Sequence, residues 1–130
     1  NTNGAVLEQA GALVGIHTDD YVTDSRLFLR SAAFAVREGM SREKALEAIT
    51  LSNAKIMRLD HRIGSLKKGK DADLLILSGD PFSVYTHVLE TWVDGVKAWD
   101  RSNPEDRAVA TGGYGVFRLN THTHTHEGGS

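Results

Sequence analysis

His17, Thr18, Asp19 and Asp20 stand together at the end of a short apolar run, Ala12-Leu-Val-Gly-Ile16. Buried strands rarely finish on adjacent carboxylates, because each ionised group costs several kcal/mol unless a cation or hydrogen bonds compensate. In sheets with parallel strands, the carboxyl end of a strand is also where active sites assemble. The four residues therefore point to metal or acid/base chemistry. The alternative use of Asp19 and Asp20 is to cap the helix that follows, although Asp24 and Ser25 suit that start better.

The other chemistry-bearing side chains have plainer readings. His17 is taken as a packing or supporting residue rather than a metal ligand, since the pleat points neighbouring residues to opposite faces. His61 sits among charged residues and reads as solvated surface, and His87 as structural. Lys67, Lys68 and Lys70 lack the Walker spacing and a following helix, so a solvated turn is expected instead of a phosphate site. Trp92 and Trp99 are expected to pack. His122, His124 and His126 alternate with threonine and would share one face of an extended strand about 6.8 Å apart. That spacing suits weak binding of a transition metal, but an affinity tag or histidine-rich terminus is the simpler account, and the closing Glu-Gly-Gly-Ser resembles a linker.

Several elements must position these residues. A short helix is expected over 5–10, ended by Gly11, and a buried strand over Leu13 to His17. A helix from Asp24 or Ser25 to Glu38 follows, with Leu27, Phe28, Ala32, Phe34, Ala35 and Val36 at helical spacing and Gly39 closing it. Ser41 caps the next helix, and a further one runs from about Ser52 to Leu59. Beyond Leu59 the pattern becomes extended. Ala72 to Leu77 reads as a strand, Gly79-Asp80-Pro81 as a turn, and Leu89 to Trp99 as a hairpin about Asp94-Gly95. From Arg101 the chain is polar and glycine-rich without periodicity.

At 130 residues the chain is at most one ordinary domain, and its formal charge of −2 leaves no electrostatic footprint for nucleic acid or an anionic membrane. No apolar run approaches the roughly 20 residues that span a bilayer. The lack of cysteine excludes disulfides and thiolate zinc sites. The chain opens on Asn1 and is expected to be a piece of a longer polypeptide. Targeting cannot be read, and a soluble, cytoplasmic placement is the default.

Thr18-Asp19-Asp20, Ala45-Leu-Glu-Ala-Ile-Thr50, Asn53-Ala-Lys55, Arg62-Ile-Gly-Ser-Leu66, Gly69-Lys-Asp-Ala-Asp-Leu74 and Ser78-Gly-Asp-Pro81 together resemble the C-terminal portion of the metal-dependent amidohydrolase superfamily, near the imidazolonepropionase-like and related cyclic-amide or dipeptide hydrolases. The resemblance implies an α/β fold. Residues 1–59 would be the last βα unit of a (β/α)8 TIM barrel, with Leu13 to His17 as its eighth strand. Residues 60–100 would supply the C-terminal strands of a composite β-sandwich, and 101–130 a flexible or tag-derived tail. Such a fold is incomplete alone.

By the same resemblance Asp19 is the catalytic aspartate at the tip of strand eight. It is also a metal ligand, taking a proton from the metal-held water and passing it to the leaving nitrogen. Asp20 would be substrate-binding. The implied cofactor is a divalent metal, zinc, as one or two ions. The family's His-x-His of strand one, the lysine or glutamate of strand four and the histidines of strands five and six are absent from the chain. The parent is thus expected to hydrolyse C–N bonds in a small-molecule substrate, and this chain alone to be inactive. Its expected partners are the complementary N-terminal polypeptide and further copies in an oligomer, with no nucleic acid or membrane. The other class of function left open is a non-catalytic assembly domain.

Overall fold

Three helices of this chain stop by the same device, and the stops set the geometry of everything after them. The computed structural model describes residues 3–19 and 27–111. α1 (Asn3–Gln9) ends where Gly11 turns to φ +74°, its N–H donating to the Glu8 carbonyl at 2.8 Å and that of Ala12 to Leu7 at 3.0 Å. α2 (Phe28–Arg37) ends at Gly39, φ +104°, with Gly39 and Met40 donating back to Val36 and Ala35, each at 3.0 Å. Both are left-handed caps that satisfy the orphan carbonyls of a last turn. The N-cap expected at Asp24 or Ser25 lies outside the described residues, and α2 begins after Leu27.

α3 (Arg42–Ala48) starts as expected on Ser41, whose Oγ accepts from the Lys44 N–H at 3.3 Å. Ser41 in turn donates its N–H and hydroxyl to the Glu8 carboxylate, at 2.8 and 2.6 Å. These bonds hold the Glu8 carboxyl below its ordinary range and tie α1 to α3. α4 (Leu51–Ile56) closes with the same left-handed turn, but on Arg58 at φ +60°. A side chain there costs about 1–2 kcal/mol, and glycine would itself lose about 0.4–1 kcal/mol through the freer unfolded chain. Arg58→Gly is therefore expected to stabilise by about 0.5–1 kcal/mol, seen as a raised unfolding midpoint. A lower midpoint would show that the guanidinium contributes more than the strain removes.

The helices enclose a core made mostly of alanine, Ala5, Ala32, Ala45, Ala48 and Ala54, together with Met40 and Ile49. Val14, Ile16, Ala35, Val36 and Phe82 pack around its centre. No large side chain is fully buried among the described residues, while Phe34, Ile56 and Met57 remain 56%, 55% and 66% exposed. The apolar faces that the helical spacing creates are therefore only partly covered.

The run expected to be a strand at Leu13 to His17 forms no ladder among the described residues. A strand needs neighbours to take its backbone groups. Here helices take them instead: the Ile16 N–H donates to the Ala48 carbonyl at 2.8 Å, and its carbonyl accepts from Asn53 Nδ2 at 2.7 Å.

β1 (Leu74–Leu77), β2 (Val88–Val93) and β3 (Val96–Asp100) form an antiparallel meander in that order. Leu74 faces Trp92 and Ile76 faces Glu90 across β1 and β2, and Val93 faces Val96 across β2 and β3. The hairpin turns on Asp94 and Gly95 at φ +51° and +75°, both left-handed, as a two-residue primed turn requires. Lys97 lies 5.5 Å above the Trp92 ring and bridges Glu90 and Asp100 at 2.8 and 2.9 Å. Hydrogen bonds from Ser102 and Lys97 hold the Asp100 carboxyl down to about 2.

The sheet is joined to the helices at one corner. Phe82 reaches the Met40, Ala45 and Ala48 cluster, and Arg42 grips Asp80 through both carboxylate oxygens at 2.7 and 2.6 Å. The same guanidinium lies 5.0 Å from the Phe82 ring centre.

Two expectations need correction. Lys70 is no solvated lysine: its ammonium donates to Ser65 Oγ at 2.8 Å, to the Ile63 carbonyl at 3.3 Å and to the Asp60 carbonyl, fastening the 60–65 loop. The polar stretch after Arg101 also contains a helix, α5 (Pro104–Thr111). Asn103 starts it by accepting from the Glu105 N–H at 2.9 Å, Pro104 fits the first helical position, and Glu105 and Asp106 favour the positive end of the dipole. α5 docks on β3, where the Trp99 indole donates to the Asp106 carbonyl at 2.8 Å. No helix among the described residues is long and apolar enough to cross a membrane.

Candidate functional site

Residues 12–18 form neither helix nor strand, and Val14, Gly15 and Ile16 are half-buried against the helices. Val14 and Ile16, two residues apart, share the face that packs on Met40, Ala45 and Ala48. Between them Gly15 runs so close to α4 that a Cβ there would stand 2.2 Å from Asn53 Oδ1 and 2.8 Å from Ile56 Cδ1. The segment can therefore approach α4 only because residue 15 has no side chain. Among the described residues Ile16 is the last one hydrogen-bonded to the helices before the chemistry-bearing end.

From Ile16 the chain runs through exposed His17 and half-buried Thr18 to Asp19, which is exposed at φ +50°. Left-handed backbone in a residue other than glycine is uncommon, although aspartate tolerates it better than most. Among the described residues the Asp19 carboxylate has no hydrogen-bond or ion-pair partner. A bare carboxylate at the end of a braced segment can accept a proton, bind a cation or receive a donor from substrate. As an oxygen ligand it suits a divalent cation.

It supplies one donor only. Among the described residues no three His, Cys, Asp or Glu side chains come together as a metal site. Asp20 lies outside the described residues, as do His122, His124 and His126. His17, expected to pack or support the site, is exposed. His61 is exposed too, as expected, while His87 serves through its backbone, exchanging bonds with Ser78 at 2.9 Å.

Asn53 is the residue that sequence reasoning passed over. It appeared only as part of a motif, yet its amide holds the segment that ends on Asp19. A signal was available, since asparagine is a poor residue for a helix interior and is retained there for what its side chain does.

Comparison with known proteins converges on one family. The family model described as "Amidohydrolase family" matches residues 5–98. Amidohydrolase tasK of Hapsidospora irregularis is 28% identical over 109 residues, which is 81% of this chain and 11% of that protein. The imidazolonepropionase of Picrophilus torridus is 31% identical over 70 residues, 49% of this chain and 18% of its own. Among solved structures, an amidohydrolase from Thermotoga maritima MSB8 superposes with a TM-score of 0.75 at 37% identity, over 77% of this chain and 26% of that one. The chain thus spans about a tenth to a quarter of the length of these relatives. The matched region takes in the Asp19 segment, the helices α1 to α4 from Ala5 onward, and the three-stranded meander as far as Ala98. With its mixed helices and small antiparallel sheet, the chain belongs to the amidohydrolase family.

Proposed function

We propose that this chain is the C-terminal part of a metal-dependent hydrolase that breaks a C–N bond in a cyclic amide, amidine or peptide-like substrate, with Asp19 as the proton carrier. The observation that carries the reading is the exposed carboxylate, without a partner among the described residues, at the end of a segment braced by Ala48 and Asn53, within an amidohydrolase sequence. In this reading residues 13–17 are the eighth strand of a (β/α)8 barrel and 24–59 the helices after it. Residues 72–99 are the C-terminal strands of a composite sandwich. The ladder that 13–17 lacks among the described residues, and the exposed Phe34, Ile56 and Met57, are then completed by the N-terminal polypeptide of the same enzyme.

A divalent cation, zinc in this reading and as one or two ions, would supply an acidified water and charge to polarise the scissile carbonyl or amidine group. Asp19 would be one of its ligands, the others coming from the rest of the polypeptide. The Asp19 carboxylate accepts the proton that the attacking water loses and delivers it to the nitrogen as the C–N bond breaks. One water is consumed and the carboxylate is regenerated. Asp20, next along the chain, is assigned to the substrate.

Removal of metal tests the reading. The full-length parent is assayed on imidazolonepropionate and on a prolyl dipeptide before and after dialysis against a chelator. Turnover is expected to fall by about 100-fold or more, since the cation's share of the barrier is several kcal/mol, and to return with Zn²⁺. Undiminished turnover without metal sinks it. A parent that carries no metal and turns over neither compound would favour a non-catalytic assembly domain.

A further inference from the structure

We infer that Asn53 is a positioning residue for Asp19, acting through the backbone of Ile16; the inference rests on the reading of Asp19 as proton carrier. Both polar groups of Ile16 are fixed from the helical layer. Its N–H is held by the Ala48 carbonyl at the end of α3, and its carbonyl by the Asn53 amide on α4. Two bonds on one residue, from two helices, set both peptide planes at this point. Three residues further on stands Asp19, at most about 10 Å along an extended chain. Among the described residues His17, Thr18 and Asp19 have no hydrogen-bonded tether of their own, so the orientation of the Ile16 carbonyl is the last fixed reference before the carboxylate.

Gly15 supports this from the other side of the contact. A methyl group at residue 15 would collide with Asn53 Oδ1 at 2.2 Å, so the absence of a side chain there is what lets the amide reach the next carbonyl. A fixed backbone matters because misplacement of a catalytic group by about 1 Å can cost about 100-fold in rate. Asn53 touches neither substrate nor reacting atoms in this scheme. It acts on kcat through where Asp19 is held.

The test uses the full-length enzyme and whichever of imidazolonepropionate or the prolyl dipeptide the wild type hydrolyses. Asn53→Asp keeps the shape but removes the donor. It is expected to lower kcat by about 10- to 100-fold with KM changed less than about threefold, and to speed hydrogen exchange across residues 13–19. Gly15→Ala should give the same pattern. In an Asn53→Ala background the 2.2 Å clash is gone and only the flexible end of Ile56, 2.8 Å away, must shift, so the double variant should be little slower than Asn53→Ala alone. Unchanged kcat and unchanged exchange in Asn53→Asp overturn the proposal. So does loss of the whole fold in both Asn53 variants, which would make the residue merely structural. Asp19→Asn is the control that separates the two ideas. If it leaves turnover intact, the reading of Asp19 fails, and exchange at 13–19 alone decides whether Asn53 holds the segment.

Discussion

Asp19→Asn in the full-length enzyme is expected to lower kcat by about 10²- to 10⁴-fold, the range a positioned general base contributes. The amide matches the carboxylate in size and can still accept a hydrogen bond, but it cannot take and return a proton. With the metal removed, stability should hardly move, because the side chain is exposed in this chain and has no partner among the described residues. Surface changes of that kind stay within about 0.5 kcal/mol. The expected signature is thus a large fall in kcat, little change in KM and, without metal, an unaltered unfolding midpoint. A kcat within a factor of about two of wild type would remove Asp19 from the chemistry. A collapse of the midpoint would assign it to the fold.

Gly64→Ala has the largest expected effect on stability. Gly64 lies at φ +85°, where a side chain costs about 1–2 kcal/mol. Its Cβ would also stand 2.7 Å from the Ala54 methyl, 3.0 Å from the Leu51 Cα and 3.3 Å from the Thr50 carbonyl oxygen. None of these is the free end of a flexible chain. Two are backbone, and Ala54 is buried in the core. Overpacking adds about 1–3 kcal/mol, so a total near 3 kcal/mol is expected. Gly69 provides the comparison within the same loop: its φ is +90°, but nothing lies within 4 Å of its would-be Cβ. Gly69→Ala should therefore show the backbone cost alone, near 1 kcal/mol. Equal losses in the two variants, read from their unfolding midpoints, would show that the contact with α4 carries no weight.

These positions also show where local sequence is a sufficient guide. Asp94-Gly95 specified its turn because only residues tolerant of positive φ can occupy both places, and Gly11, Gly39 and Ser41 marked helix ends for equally local reasons. The 13–17 strand did not form because strand identity is relational, and the neighbours it needs are not among the described residues. Lys70 read as surface because a turn next to glycine is usually wet. Its three acceptors come from a loop five to ten residues upstream, which spacing alone does not reveal. α5 was passed over for a different reason. Its eight residues are too few for periodicity to register, although Asn103-Pro104-Glu105 already spelled a helix start. At the candidate site, residue type singled out Asp19 and Asp20. The support behind Asp19 was hidden, because Asn53 is 37 residues from the carbonyl it holds.

β1 has consequences beyond the fold. Leu74-Leu-Ile-Leu77 is a run of four apolar residues with one strand neighbour among the described residues, on β2. An open edge of this composition is a template for association with identical strands, the first step toward amyloid-like stacking. The charges around it oppose that outcome. Asp71 and Asp73 precede the run and Asp80 follows it; Arg62 and Arg42 pair with Asp71 and Asp80, so in-register stacking would set the Asp73 carboxylates, which those arginines leave unneutralised, about 4.8 Å apart. The run is thus guarded against self-association by an acidic gatekeeper, while its apolar edge stays open to a strand from a different sequence.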